Sequence, residues 1–93
     1  MTTHTPEDAQ AFYETANRFV ALANDLGEEL GRPRAAAAIL WAASRYGAFA
    51  WAVSGAPGKQ STQEALDLFG EQYRKMMADN LERMLAEFAP KPG

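Results

Sequence analysis

The chain has no cysteine, and its single histidine is His4, near the start of 93 residues. Without cysteine there is no disulfide, no thiolate nucleophile, no iron–sulfur ligation and no cysteine zinc site. A carboxylate-bridged metal pair in a helical bundle draws on two Glu-x-x-His motifs, and one histidine outside the helices cannot supply them. General acid–base or nucleophilic catalysis would then fall to carboxylate, lysine or tyrosine alone, and no spacing here supports it. No catalytic, cofactor-binding or metal-binding residue is therefore expected, and the chain reads as a non-enzyme without a cofactor. Basic residues are also few: nine Lys and Arg stand against twelve Asp and Glu, a net charge of -3. A grip on phosphate backbones needs a clustered basic surface, so nucleic acid is not an expected partner. Met1 to His4 shows no basic run leading into an apolar stretch, which makes the cytoplasm the expected address.

No segment alternates apolar and polar residues as a strand would, and Gly31, Gly55, Gly58, Pro33 and Pro57 fall as punctuation between helical patterns. Thr5-Pro6-Glu7-Asp8 reads as a helix start, with Thr5 as cap, Pro6 in the first turn and two acids at the positive end of the dipole. Phe12, Ala16, Phe19, Ala23, Leu26 and Leu30 follow at spacings of 4, 3, 4, 3 and 4, a seam that one helix face would bury. Asn17 and Asn24 sit on the edge of that stripe as solvated residues. Gly31 is a natural stop before Arg32 and Pro33. Because Arg32 precedes proline it should leave the helical region, and a connection of a few residues should set the next helix antiparallel to the first.

Ala35 to Val53 spans 19 residues interrupted only by Ser44, Arg45 and Gly47. The length would admit a membrane span, but nine of the 19 are alanine, and an arginine near the centre costs about 2.5 to 3.5 kcal/mol on insertion scales. No membrane span is expected. Gly55-Ala56-Pro57-Gly58 ends this helix, with Lys59-Gln60 completing the linker. Ser61-Thr62-Gln63-Glu64 is a capping box, serine bonding forward and glutamate back. Leu66, Phe69, Tyr73, Met76, Met77, Leu81, Met84, Leu85 and Phe88 mark the apolar side of a third helix, which Pro90 and Pro92 stop. The methionine cluster of Met76, Met77 and Met84 reads as plain core.

On a helical wheel of about 100° per residue, Ile39, Ala42, Ala43, Tyr46, Ala50 and Val53 share the face of the second helix expected to be the intramolecular core. Leu40, Gly47 and Trp51 lie about a quarter turn away, and Trp41, Arg45, Ala48 and Ala52 fill most of the rest. A helix apolar all round is buried on every side or crosses a membrane, and two partner helices cannot enclose it. Trp41 and Trp51 are the kind of anchor that dominates interfaces. Arg45 has Trp41 and Phe49 one turn to either side, so its guanidinium can lie on an aromatic ring or pair with Glu14 or Asp25. Asn80 falls within the apolar face of the third helix, where a lone asparagine can set register or simply bond to neighbouring backbone. Leu40, Trp41, Arg45, Trp51 and Asn80 are thus the candidate interface or ligand residues.

Gly58-Lys59-Gln60-Ser61 invites comparison with a phosphate loop. Gln60 separates lysine from serine, and Val53 occupies the position of the first glycine of G-x-x-x-x-G-K-[ST], so nucleotide binding is not expected.

Three segments in order carry a resemblance: Ala16-Asn17-Arg18-Phe19 with Leu22-Ala23-Asn24; Ala43-Ser44-Arg45-Tyr46-Gly47-Ala48-Phe49; and Phe69-Gly70-Glu71-Gln72-Tyr73-Arg74-Lys75-Met76 with Asn80-Leu81. Together they resemble the small bacterial family known as domain of unknown function 3144, over about residues 12 to 85. The resemblance implies a short, soluble, helical bacterial protein and carries over no activity or catalytic residue. Ala35 to Ala38 and the short linker of residues 55 to 60 depart from the family pattern.

The expected fold is all-α: a three-helix antiparallel bundle with helices at about 6–30, 33–54 and 62–89, completed by dimerisation. Residues 1–93 make one domain with short disordered ends, about 1–4 and 90–93. The expected function is a self-associating interaction or regulatory module, a homodimer open to a further protein partner. The alternative is a small-ligand binder using an apolar cavity beside Arg45, Tyr46 or Tyr73.

Overall fold

The computed structural model describes residues 6–89. The expectations for Thr5, His4, Pro90, Pro92 and the disordered ends lie outside the described residues. Three long helices follow in order, α1 (Pro6–Leu30), α2 (Arg32–Val53) and α3 (Thr62–Phe88), with a short 3-10 turn at Ala56–Gly58. No strand is present among the described residues, and the all-α class holds with three helices at nearly the expected bounds. The chain divides into two compact units, which meet in sequence between Ala50 and Trp51.

The first unit contains α1 and most of α2. Their connection is one residue rather than several. Gly31 has φ 94°, a left-handed conformation that glycine adopts without a Cβ penalty. Its N–H donates to the Gly27 carbonyl at 2.9 Å, closing α1, and its carbonyl accepts from the Ala35 N–H at 3.1 Å, opening α2. One residue is thus the C-terminal stop of one helix and the cap of the next. Arg32, expected outside the helix, is its first residue. Pro33 follows in the first turn, where a missing N–H leaves no bond unmade.

Burial in this unit is greatest at that corner, with Ala16, Ala23 and Gly47 half-buried away from it. Ala35 is 5% exposed, and Leu26 and Gly27 are half-buried. The face expected to be the core of α2 is open instead: Ile39 is 38% exposed, Tyr46 71% and Val53 66%, and Ala42, Ala43 and Ala50 are exposed with them. The α1 stripe is partly covered: Ala16, Ala23 and Leu26 are half-buried, whereas Phe12, Phe19 and Leu30 are exposed. The expectation that this α2 face is the intramolecular core does not hold, because periodicity marks an apolar face without saying what covers it.

The second unit begins with the last turn of α2. Gly55 has φ 86° and turns the chain into the 3-10 segment, whose bonds run from Gly58 N–H to Gly55 O at 3.2 Å and from Lys59 N–H to Ala56 O at 2.8 Å. The Trp51 indole N–H donates to Gln60 Oε1 at 2.7 Å, drawing the end of the linker onto the end of α2. Ser61 then caps α3 as the sequence predicts. Its hydroxyl accepts from the Glu64 N–H at 3.1 Å, and its own N–H donates to Glu64 Oε1 at 3.0 Å. Ala65, in the first turns of α3, is the buried residue of this unit among those described. Met76, Met77 and Met84, expected as core, are exposed.

Candidate interaction surface

The apolar middle of α2 is an exposed aromatic surface in this structure. Trp41 and Phe49 are both more than half exposed. Arg45 lies over the Trp41 ring with its guanidinium carbon 5.6 Å from the centroid, which realises the aromatic option rather than a buried ion pair. Tyr46 and Phe49 meet at 6.0 Å between centroids, tilted by 46°. Between Trp41 and Arg45, Ser44 folds its hydroxyl back onto the Trp41 carbonyl at 2.8 Å, so the one hydroxyl in this stretch is satisfied within its own helix.

The five sequence candidates are divided between the two units. Leu40, Trp41 and Arg45 belong to the part of α2 in the first unit, and Leu40 is exposed. Trp51, in the second unit, is half-buried and held by Gln60. Asn80 is exposed on α3, on the side that also presents Tyr73 and Met77. The Trp51–Gln60 bond is the feature that sequence reasoning missed. The turn residues of the linker were visible, but nothing in a nine-residue separation says that an indole and an amide will meet.

Charge is distributed unevenly among the helices. α1 carries six acids and one arginine, whereas α2 carries three arginines and no acid. Glu14 accepts from the Gln10 amide at 3.1 Å, a contact along the surface of α1. Glu64 has its carboxyl held below the ordinary range, first by the Ser61 backbone N–H and then by the Ser61 hydroxyl, which both favour its charged form.

A shallow, open depression on α1 is lined by Thr15, Arg18, Phe19 and Leu22; the ligand reading placed its cavity elsewhere, beside Arg45, Tyr46 or Tyr73. Among the described residues no group of three or more His, Cys, Asp or Glu side chains is placed to hold a metal ion, and no helix is long and apolar enough to cross a membrane.

The family described as "Protein of unknown function (DUF3144)" matches residues 12–85 of the chain. No curated protein and no solved structure matches it.

Proposed function

The chain belongs to the DUF3144 family, and because that membership carries no activity, we propose from the surface itself that it is a non-catalytic, self-associating helical module of the bacterial cytoplasm. A second copy covers the apolar faces that one copy leaves open, and the assembled homodimer is the form that meets any further protein partner.

One observation carries this reading. Among the described residues, twenty-two large apolar side chains are exposed, only Leu26 and Trp51 are half-buried, and the two buried residues are alanines. Covering a Leu, Val, Phe or Met side chain is worth about 1.5 to 3 kcal/mol, whereas ordering each residue costs about 1 to 2 kcal/mol in backbone entropy. Two buried alanines do not offset that cost over helices of 25, 22 and 27 residues. Helices of this kind draw most of their stability from packing of the amphipathic face rather than from propensity. Exposed apolar side chains in this number favour an association site, and those of α2 include Trp41, Tyr46 and Phe49 beside Arg45, types enriched in interface cores.

The test is the mass in solution. Light scattering at micromolar concentration is expected to give twice the 10.2 kDa of the chain. A mass of one chain at that concentration overturns the reading.

A further inference from the structure

We infer that the dimer is built by reciprocal exchange, with the acidic α1 of each protomer lying along the arginine-bearing α2 of its partner. This rests on the self-association proposed above and names the surfaces that make it.

The charges of the two helices are complementary. α1 has six acids against one arginine, and α2 has three arginines and no acid. Arg45 is the single charge between Ala35 and Val53, in the middle of a surface that association would dry. A desolvated guanidinium needs a carboxylate or an aromatic face. Trp41 supplies the ring, and α1 is rich in the carboxylates. Glu14 and Asp25 are eleven residues apart, about three helical turns, and so share one flank of α1. Glu14 gives one oxygen to Gln10, which leaves its other oxygen for a cation.

The connector between them is short. Antiparallel helices that pack along their length within a chain are joined by loops of about two to five residues, and α1 and α2 are joined by Gly31 alone. The closest burial between them is at the corner, where Ala35 is buried and a Cβ on Gly27 would lie 3.7 Å from Arg32 Cγ and 4.0 Å from Ala35 Cβ.

Large apolar side chains on both helices are left open together. Phe12 and Phe19 on α1 and Ile39 and Tyr46 on α2 are exposed in the same unit. Complementary surfaces that a short connector keeps apart in one copy are satisfied by exchange between two, and a two-fold axis makes the contact twice.

The experiment uses two full-length charge variants and their mixture. Arg45→Glu reverses the cation of α2, and the double variant Glu14→Arg, Asp25→Arg reverses the acids of α1. Each alone is expected to weaken the homodimer at least tenfold by analytical ultracentrifugation, with Arg45→Gln falling between Arg45→Glu and wild type. Mixed in equal amounts, the two reversed variants should form a heterodimer, because one of its two contacts is native and the other is restored with its charges inverted. Rescue by mixing does not occur if these groups pair within one chain. If the α1 double variant dimerises like wild type, the interface is α2 on α2 or involves α3. That result, or a mixture that stays monomeric, overturns the exchange while leaving self-association standing. A monomeric wild type removes both.

Discussion

The guanidinium of Arg45 lies over the ring of Trp41, one turn earlier on α2, at 5.6 Å from its centroid. At an exposed site such a contact is worth about 0.5 to 1 kcal/mol, rising to about 2 kcal/mol or more when it is desolvated. In the proposed dimer, drying this surface would strengthen a contact already made in the single copy, and Trp41 would be an anchor whose partner cation is held in place beforehand. Trp41→Ala is expected to raise the dimer dissociation constant by about tenfold to a hundredfold, within the range of interface hot spots. Sedimentation equilibrium gives the constant, and far-UV circular dichroism of the variant should keep the helical signal at concentrations where it still associates. A dissociation constant unchanged within twofold would exclude Trp41 from the interface.

Two glycines near one corner should respond to the same substitution with opposite sign. Gly31 sits at φ 94°, where a Cβ costs about 1 to 2 kcal/mol, so Gly31→Ala should lower stability by that amount in urea denaturation. Gly27 lies inside α1. An added Cβ there finds Arg32 and Ala35 at ordinary contact distances of 3.7 Å and 4.0 Å. Gly27→Ala should raise stability by up to about 1 kcal/mol through helix propensity. Destabilisation by both, or by neither, would mean that this corner is not held as described.

The helices were legible in the sequence because their ends carry local chemistry. Gly31 and Pro33 bracket one boundary, and Ser61 with Glu64 writes the other as a capping box that the structure reproduces atom for atom. The Arg45–Trp41 contact was legible for the same reason, since residues four apart on a helix must meet. The partners of faces were not legible. Ile39, Tyr46 and Val53 have the periodicity of a core, and Met76, Met77 and Met84 have it too, yet all are exposed in the single copy. Periodicity reports that a face should be covered, and says nothing about whether the cover lies in the same chain. The Trp51–Gln60 bond escaped for a different reason. It depends on the left-handed turn at Gly55, which fixes where Gln60 arrives, and that geometry has no one-dimensional signature.

That bond carries the next prediction. The Trp51 indole donates to Gln60 Oε1 at 2.7 Å with both side chains half-buried, and indole nitrogen has no other hydrogen-bonding role than as a donor. Gln60→Leu keeps the bulk and removes the acceptor, which should cost about 1 to 3 kcal/mol if the donor is left unsatisfied. Trp51→Phe in the same background removes the orphaned donor, and a double-mutant cycle should show a coupling energy of about 0.5 to 1.5 kcal/mol. Denaturation of the four proteins at one fixed concentration measures it. A coupling energy of zero would mean that the linker is not fastened to α2 by this contact.

The start of α3 should impart a pH dependence of defined sign. Glu64 accepts from the Ser61 N–H and stands beside the Ser61 hydroxyl, and its carboxyl is shifted below the ordinary carboxylate range by those two contacts in that order. A group whose pKa is depressed on folding contributes stability that is fully present above its unfolded pKa and is lost as pH falls through its folded pKa. Helix α3 should therefore keep its N-terminal turn at neutral pH and begin to lose that contribution as the solution is acidified below the ordinary carboxylate range. Glu64→Gln preserves the hydrogen-bonding shape of the box while removing the titrating group, so its stability profile should be flatter than wild type across the acid limb. Ser61→Ala should lower stability by about 1 kcal/mol at neutral pH and should also flatten the acid limb, because without the hydroxyl Glu64 loses part of what holds its pKa down. Thermal denaturation of the three proteins between neutral and acid pH separates these effects, and a Glu64→Gln profile parallel to wild type through the whole range would show that the capping box does not shape the acid response.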